Sequence, residues 1–414
     1  MSDEIRDFNI DIPKTALDDL DIRLRHVRWP DPEPVDDWSQ GIPLDYVKTV
    51  VEHWRTSYDW RRCEDELNQY SHHLTEIDGV DIHFMHIRSP EADARPLIMT
   101  HGWPGSIVEF MDVIGPLTDP VAYGGEAKDA YHLVVPTLPG FGFSGKPTAT
   151  GWGMEKIAQA WDVLMNRLGY DRYFAQGGDW GGMVTSVIGA QNLGHCAGIH
   201  VNLVVIGPPS EEIMAKPTAQ EQAALAHFAV YQTQGTGYAE IQRTRPQTLG
   251  YGLADSPVGQ MAWIMEKFQG WADGAKAPDE NFDCDRLLDN VMIYWLNNAG
   301  ASSARLYRES FGAPNIDPVS IPSGCSIFPN EIITPSRRWA EQRFKDLRYW
   351  GEPEKGGHFA AMEVPESFIA EVRDGAVAAR AEPDHTAADD GNPDAAGDHF
   401  GFFLPDAARS RRTF

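Results

Sequence analysis

The residues best suited to chemistry lie in a glycine-rich turn around a single carboxylate. The segment Phe174 to Met183 reads FAQGGDWGGM, in which an apolar run meets glycines, Asp179, more glycines and a helical pattern. A nucleophile on a sharp strand-to-helix turn needs small residues two positions before and after it, here Gly177 and Gly181. The motif GxSxG occurs nowhere, so the predicted nucleophile is Asp179, which would attack saturated carbon and form an alkyl ester. A solvated aspartate in a plain turn is the alternative.

A second motif predicts where negative charge would be stabilised. The apolar run at 97–100 ends in HGWPGS at 101–106. In enzymes with this type of turn, one backbone N–H for the oxyanion comes from such a loop and another from the residue after the nucleophile. The expected donors are therefore the backbone amides of Trp103 and Trp180.

A third motif supplies the base that hydrolysis of an alkyl ester requires. Among 14 histidines, His358 has the best context, because KGGHFA follows the strand-like run at 347–350 and precedes a helix expected near Pro365. The triad order of nucleophile, acid and histidine places the orienting acid before it. Glu331 in SIFPNEI fits that position, with Asp317 and Glu352 as weaker substitutes and a structural carboxylate near a helix start as the alternative for Glu331.

The chain pattern predicts the scaffold that would position these side chains. Between 132 and 203, short apolar runs alternate with helical stretches, which is typical of a mostly parallel sheet with helices on both faces. Helical sequence at 207–315 interrupts this alternation. The predicted segments are an N-terminal region (1–90), the first part of the α/β core (91–206), an inserted helical cap (207–315), the second part of the core (316–378) and an acidic, disordered tail (379–414).

Composition excludes several classes of function. Lys and Arg number 35 and Asp and Glu 61, giving a net charge of -26 over 414 residues, so neither nucleic acid nor an anionic membrane is an expected partner. The four cysteines, Cys63, Cys196, Cys284 and Cys325, have no metal-ligand spacing and are interpreted as buried thiols. The start lacks a signal peptide or membrane anchor, and we expect a cytoplasmic protein.

Together these motifs resemble those of the microsomal-type epoxide hydrolases. The resemblance covers roughly residues 5–378 and depends on GGDWGG, HGWP, FPNE and GGHF. It implies an α/β-hydrolase fold with an inserted helical cap, and an N-terminal meander that runs over the catalytic domain and the cap. It also implies conversion of an epoxide to a vicinal diol with no metal or organic cofactor.

The resemblance further implies two cap tyrosines that hold and protonate the epoxide oxygen. The matching positions are Tyr238 and Tyr307, and a phenol suits this task because it is neutral at pH 7 and donates one hydrogen bond. Without the family, Tyr231, Tyr251 and Tyr294 are equal candidates.

The sequence is also compatible with other functions. A haloalkane or haloacid dehalogenase would share Asp179 and His358 and could hold a halide with the N–H groups of Trp103 and Trp180. A ligand receptor that keeps the fold without turnover is a further alternative. Aromatic residues of the cap suggest a bulky or aryl epoxide or ordinary core packing: Trp263, Phe268, Trp271 and Trp295. Oligomeric state, a homodimer included, stays open.

Overall fold

A single sheet joins strands from most of the chain. The computed structural model describes residues 3–274, 276–311 and 316–378. Its strands are β1 (Ile5–Phe8), β2 (His72–Ile77), β3 (Val80–Ile87), β4 (Arg95–Thr100), β5 (Tyr131–Pro136), β6 (Tyr173–Gly177), β7 (Cys196–Val201), β8 (Ser323–Ser326) and β9 (Leu347–Gly351). Their order is β1-β2-β3-β5-β4-β6-β7-β8-β9. Pairing is antiparallel from β1 through β3 to β5 and parallel from β5 to β9, which confirms a mostly parallel sheet.

The helices connect the strands and form the segment between β7 and β8. Those before β8 are α1 (Lys14–Arg25), α2 (Leu44–Thr56), α3 (Trp60–Leu67), α4 (Met111–Thr118), α5 (Met154–Arg167), α6 (Asp179–Gln191), α7 (Glu211–Ala215), α8 (Ala219–Val230), α9 (Gly237–Thr244), α10 (Pro246–Asp255), α11 (Pro257–Gly270), α12 (Cys284–Leu296) and α13 (Gly300–Ser310). Three more follow β8: α14 (Arg337–Ala340), α15 (Ala360–Glu363) and α16 (Pro365–Ala378).

Helices cover both faces of the sheet, as expected. Successive residues of a strand point to opposite faces, and β7 shows what lies on each side. Ile199 meets Gly189 of α6, where an added Cβ would lie 3.1 Å from its Cδ1. His200 meets Gly375 of α16, where an added Cβ would lie 2.6 Å from its Cδ2. The helices α6 and α16 therefore pack on opposite faces.

The chain leaves the sheet after β7 and returns to it at the neighbouring strand β8. Between these strands lie α7 to α13, within the helical stretch at 207–315, called the cap segment below. An insertion between adjacent strands leaves their pairing intact, so the cap segment is added to the fold without interrupting the sheet. The acidic segment 379–414, expected to be disordered, lies outside the described residues.

One expectation needs correction. All four cysteines are free thiols, but Cys284 is only half-buried, since it is the first residue of α12. Within the described residues, no helix combines the length and apolar character needed to cross a bilayer.

A buried charge cluster fastens the N-terminal region to the cap segment. The carboxylate of Asp289 in α12 is 0% exposed and accepts hydrogen bonds from the Tyr58 hydroxyl at 2.8 Å and from Arg62 Nη2 at 2.6 Å. Arg286 lies 3.6 Å from its other oxygen. We expect Asp289→Ala to lower the free energy of unfolding by about 3 kcal/mol, because it leaves a buried hydroxyl and nearby cations without their acceptor.

The matched control is Asp255→Ala, which removes another ion pair between the N-terminal region and the cap segment. Asp255 pairs with Arg23 at 3.3 Å, but its side chain is 87% exposed, so we expect a change below about 1 kcal/mol. Urea unfolding followed by circular dichroism compares the two variants. Equal unfolding midpoints would contradict a special role for the buried cluster.

Candidate active site

The structure forms the predicted turn between a strand and a helix at Asp179. Strand β6 ends at Gly177 and α6 begins at Asp179, whose φ of 47° is in the left-handed region, a strained conformation for a residue with a side chain. A Cβ on Gly177 would lie 2.2 Å from the carbonyl carbon of Gly181, and one on Gly181 would lie 1.8 Å from the Thr100 carbonyl oxygen. No residue larger than glycine fits at either position, so the turn can form only with the glycines of this motif.

The carboxylate of Asp179 is held from two sides. Its Oδ1 accepts a hydrogen bond from the Trp103 backbone N–H at 2.7 Å. Its Oδ2 lies 3.2 Å from His358 Nε2. The side chain is 15% exposed, so these contacts operate largely out of water. The backbone amide of Trp180 belongs to the first turn of α6, where N–H groups have no partner inside the helix, and the helix N-terminus favours negative charge at Asp179.

His358 completes a chain of three side chains with its predicted acid. Its Nδ1 lies 2.6 Å from Oε1 of Glu331, which also accepts the Ile332 amide at 2.7 Å. Burial alone would lower the pKa of His358, but the carboxylates of Glu331 and Asp179 outweigh it and hold that pKa well above the usual value for imidazole. The resting site therefore favours an imidazolium between two carboxylates.

The structure distinguishes between the three candidate acids. Among the described residues, Glu331 is the candidate hydrogen-bonded to His358. Glu352 instead accepts a hydrogen bond from Gln220 at 2.9 Å, and the backbone carbonyl of Asp317 accepts one from Arg343. Glu331 lies in the loop after β8, as the order of the motifs predicts.

The two predicted tyrosines lie over the two tryptophans whose amides flank Asp179. Tyr238 stacks on the Trp103 ring with centroids 4.9 Å apart, and Tyr307 packs edge-on against Trp180 at 4.8 Å. The two phenol rings are 5.8 Å apart. Burial raises the pKa of both Tyr238 and Tyr307 well above the usual value, so both keep their protons at neutral pH.

The competing tyrosines lie in other environments. Tyr251 is 71% exposed, and the Tyr294 hydroxyl donates to the Gly105 carbonyl at 2.7 Å. The Tyr231 hydroxyl is 3.1 Å from that of Tyr238, which makes Tyr231 a neighbour of the site that the sequence does not distinguish from the rest.

Of the four aromatic cap residues, Trp271 is the one in contact with His358. Its ring packs edge-on against His358 at 4.9 Å, and its carbonyl accepts the His358 amide at 2.9 Å. Phe268 stacks on Phe359, the residue after His358. By contrast, Trp295 lies under Arg23 and Trp263 donates to Gln242, so these two serve packing between elements.

Two further carboxylates near the site carry no sequence motif. Glu109, one turn after HGWPGS, faces a cavity shared with Asp179 and His358, and desolvation there raises the pKa of Glu109 to about 8. Asp273 of the cap segment accepts hydrogen bonds from the Asn330 side chain at 2.6 Å and the Gly356 amide at 3.0 Å. It therefore ties the cap segment to the two loops that carry Glu331 and His358. Proximity to HGWPGS is a weak signal for Glu109, and Asp273 has none.

The sheet, the turn at Asp179 and the histidine loop define an α/β hydrolase. Residues 5–110 match the family model described as Epoxide hydrolase N terminus, and residues 95–241 match the alpha/beta hydrolase fold.

The relatives identify the family more closely. A protein of Stigmatella aurantiaca named "Putative epoxide hydrolase" is 49% identical over 374 residues, 89% of this chain and 84% of that protein. Juvenile hormone epoxide hydrolase 1 of Ctenocephalides felis is 35% identical over 87% of this chain and 83% of its own length. The structure of Aspergillus niger epoxide hydrolase aligns with a TM-score of 0.82, at 32% identity, over 90% of this chain and 96% of that one. The chain belongs to the epoxide hydrolases, which favours this activity over the dehalogenase and receptor alternatives.

Proposed function

We propose that the protein hydrolyses epoxides through a covalent ester on Asp179. The observation that carries the proposal is the arrangement of that carboxylate. It lies between the Trp103 amide and His358 Nε2, with the phenol rings of Tyr238 and Tyr307 packed over the adjoining indoles.

In the first step, a carboxylate oxygen of Asp179 attacks one carbon of the epoxide. The new C–O bond forms as the ring C–O bond breaks, and the bonding electrons move to the epoxide oxygen. Tyr238 and Tyr307 donate hydrogen bonds to that oxygen and supply its proton, as neutral phenols can. The product of this step is a hydroxyalkyl ester of Asp179.

In the second step, His358 removes a proton from water, and the hydroxide adds to the ester carbonyl carbon. The tetrahedral intermediate then collapses with cleavage of the bond between that carbon and the ester oxygen. The leaving alkoxide takes the remaining proton of the attacking water, which releases the diol and regenerates the Asp179 carboxylate. A cavity of about 10 Å³ borders Asp179, His358 and Glu109, which is space for about one water molecule. The tetrahedral oxyanion would be stabilised by the amides of Trp103 and Trp180. Glu331 fixes the orientation of the imidazole and stabilises its charged form.

Formation of the ester itself prepares His358 for this role. In the resting site, two carboxylates hold the pKa of His358 high. Esterification removes the charge of Asp179, so the pKa of His358 falls towards a value suited to a general base. The imidazolium proton is then available to restore a neutral tyrosine.

We further propose that the substrate is a bulky or aryl-substituted epoxide. Aromatic rings line the catalytic groups, and Trp103 and Tyr238 each contact both Trp271 and Tyr307. A flat, apolar substituent would pack well against such surfaces. A panel of aliphatic, styrenyl and polycyclic epoxides, with diol formation as the readout, should show the highest kcat/KM for the aryl members.

The ester mechanism predicts where oxygen from water goes in a single turnover. With enzyme in excess over epoxide in ¹⁸O water, we expect label in the Asp179 carboxylate and none in the first diol. The diol takes its new oxygen from the original carboxylate, since water cleaves the bond between carbonyl carbon and ester oxygen. Peptide mass spectrometry of the enzyme and mass analysis of the diol make the two measurements.

Label in the first diol would contradict this mechanism, because water would then have attacked the epoxide directly. The control is the same incubation without substrate, which should leave the peptide containing Asp179 unlabelled.

A further inference from the structure

A nearly buried ammonium group lies against one of the two proposed acids. Lys267, in the last turn of α11, is 8% exposed. Its Nζ lies 4.6 Å from the centroid of the Tyr238 ring and 5.7 Å from that of Trp271. Both rings border the catalytic groups, so the ammonium group of Lys267 lies next to the aromatic rings of the site.

Packing does not explain why this residue is a lysine. Lysine is among the residues least often buried, because removing its charge from water is costly. An apolar side chain of similar length would fill the same space between Tyr238 and Trp271. The one ion-pair partner found among the described residues is Glu266, at 2.5 Å, whose side chain is 34% exposed, so solvent weakens that pairing. The charge of Lys267 therefore acts both on the Glu266 carboxylate and on the two aromatic rings.

Epoxide opening changes the charge of the ring that Lys267 faces. As the C–O bond breaks, the proton of Tyr238 moves to the departing oxygen and negative charge develops on the phenol. An ammonium over an aromatic face is attracted to the ring, and more strongly when solvent is excluded. This attraction increases when the ring becomes negative, so it favours the transition state over the ground state.

We propose that Lys267 is a positioning residue that strengthens Tyr238 as the acid for epoxide opening. This inference rests on the proposed function, in which Tyr238 donates to the epoxide oxygen. Lys267 touches neither the substrate nor the reacting atoms and acts through the Tyr238 ring. Its effect is confined to formation of the ester, because hydrolysis of the ester requires no proton from Tyr238.

The test measures the two half-reactions separately in a double-mutant cycle. Single-turnover kinetics give the rate constants for ester formation and ester hydrolysis in the parent, Lys267→Met, Tyr238→Phe and the double variant. We expect Lys267→Met to slow ester formation by about 10-fold and to leave ester hydrolysis unchanged. In the Tyr238→Phe background, the same substitution should have almost no further effect.

Three further variants separate charge from packing. Lys267→Arg should restore ester formation to within about 3-fold of the parent, since it keeps the cation. Lys156→Met is the matched control, because Lys156 lies over Trp152 at 5.2 Å, away from the residues around Asp179, and should leave both rate constants unchanged. Glu266→Gln removes a partly exposed negative charge beside Lys267 and should speed ester formation by about 2-fold. This variant should fold even if Lys267→Met does not.

Failure of this inference differs from failure of the proposed function. If Tyr238→Phe slows ester formation and Lys267→Met does not, Lys267 has no such role and the mechanism stands. If Lys267→Met slows ester formation equally with and without the Tyr238 hydroxyl, its role is packing. If Tyr238→Phe leaves ester formation unchanged, the role proposed for Lys267 is wrong, whereas the proposed function is decided by the ¹⁸O experiment and the double tyrosine variant.

Discussion

Replacing His358 by Gln is expected to produce an enzyme that opens one epoxide and then stops. Ester formation needs the Asp179 carboxylate and a proton donor. Ester hydrolysis needs a base that removes a proton from water, and glutamine cannot act as that base. We expect kcat to fall by 10³-fold or more, within the range of a lost general base. Intact-protein mass spectrometry after substrate addition should show one substrate mass added per chain, on the peptide containing Asp179.

Two further variants test the other members of the site, and a third is the control. Asp179→Asn should form no adduct, because the amide is a poor nucleophile. Glu331→Gln should be slowed less severely than His358→Gln, since a poorly oriented imidazole retains some basicity. His195→Gln is the histidine control, because His195 pairs with Asp162 and is 40% exposed. Normal turnover by His358→Gln, without adduct, would remove His358 from the mechanism.

The predicted nucleophile and base lie in motifs that are local in sequence. The turn at Asp179 requires glycines within two residues on either side, since backbone of Gly181 and Thr100 fills the space of any side chain there. The same holds at Gly357, where a Cβ would lie 2.5 Å from the Trp271 carbonyl. A close approach of two backbone segments can be predicted from the sequence, because only glycine fits at such a position. The motifs around Asp179 and His358 can therefore be identified from the sequence alone.

Strands that depend on distant partners were less predictable. β1 and β2 have mixed polar sequences, IRDF and HHLTEI, and pair with each other across more than sixty residues of chain. The apolar run at 325–328 predicts a strand, but β8 is Ser323–Ser326, with sequence SGCS. It is a strand because β7 and β9 pair on its two sides. Such pairing overrides local propensity.

The same limit applies to the parts of the site contributed by the cap segment. Asp273 and Lys267 reach the catalytic groups only because α11 and the loop after it pack against the triad loops. Neither residue lies in a recognisable pattern. Tyr238 and Tyr307 were found through family resemblance, and the residues themselves did not separate them from other cap tyrosines. Contacts made by tertiary packing thus account for what the sequence could not reveal.

Removing both phenol hydroxyls should nearly abolish epoxide opening. An alkoxide needs a proton as it departs, and Tyr238 and Tyr307 are buried, protonated phenols packed together beside Asp179. We expect each single Phe substitution to slow ester formation, and the double variant to slow it by about 10²- to 10⁴-fold. Because two donors serve one oxygen, the single losses need not add, so the double variant is the decisive one. Single-turnover rates of ester formation measure the effect.

Two tyrosine controls separate this loss from damage to the cap segment. Tyr251→Phe alters an exposed phenol and should have no effect. Tyr294→Phe removes the hydrogen bond to the Gly105 carbonyl and reports what a buried structural hydroxyl contributes. Thermal unfolding shows whether each variant keeps the parental fold.

The same experiment also separates an epoxide from an alkyl halide, because a halide departs without a proton. The double variant should therefore lose diol formation. If the parent releases halide from alkyl halides, the double variant should do so at the same rate. If the double variant folds normally and still opens epoxides near the parental rate, Tyr238 and Tyr307 are not the acids. Faster release of halide than formation of diol by the parent would indicate that Asp179 acts on substrates that need no acid, and the tyrosines would then serve only to pack the site.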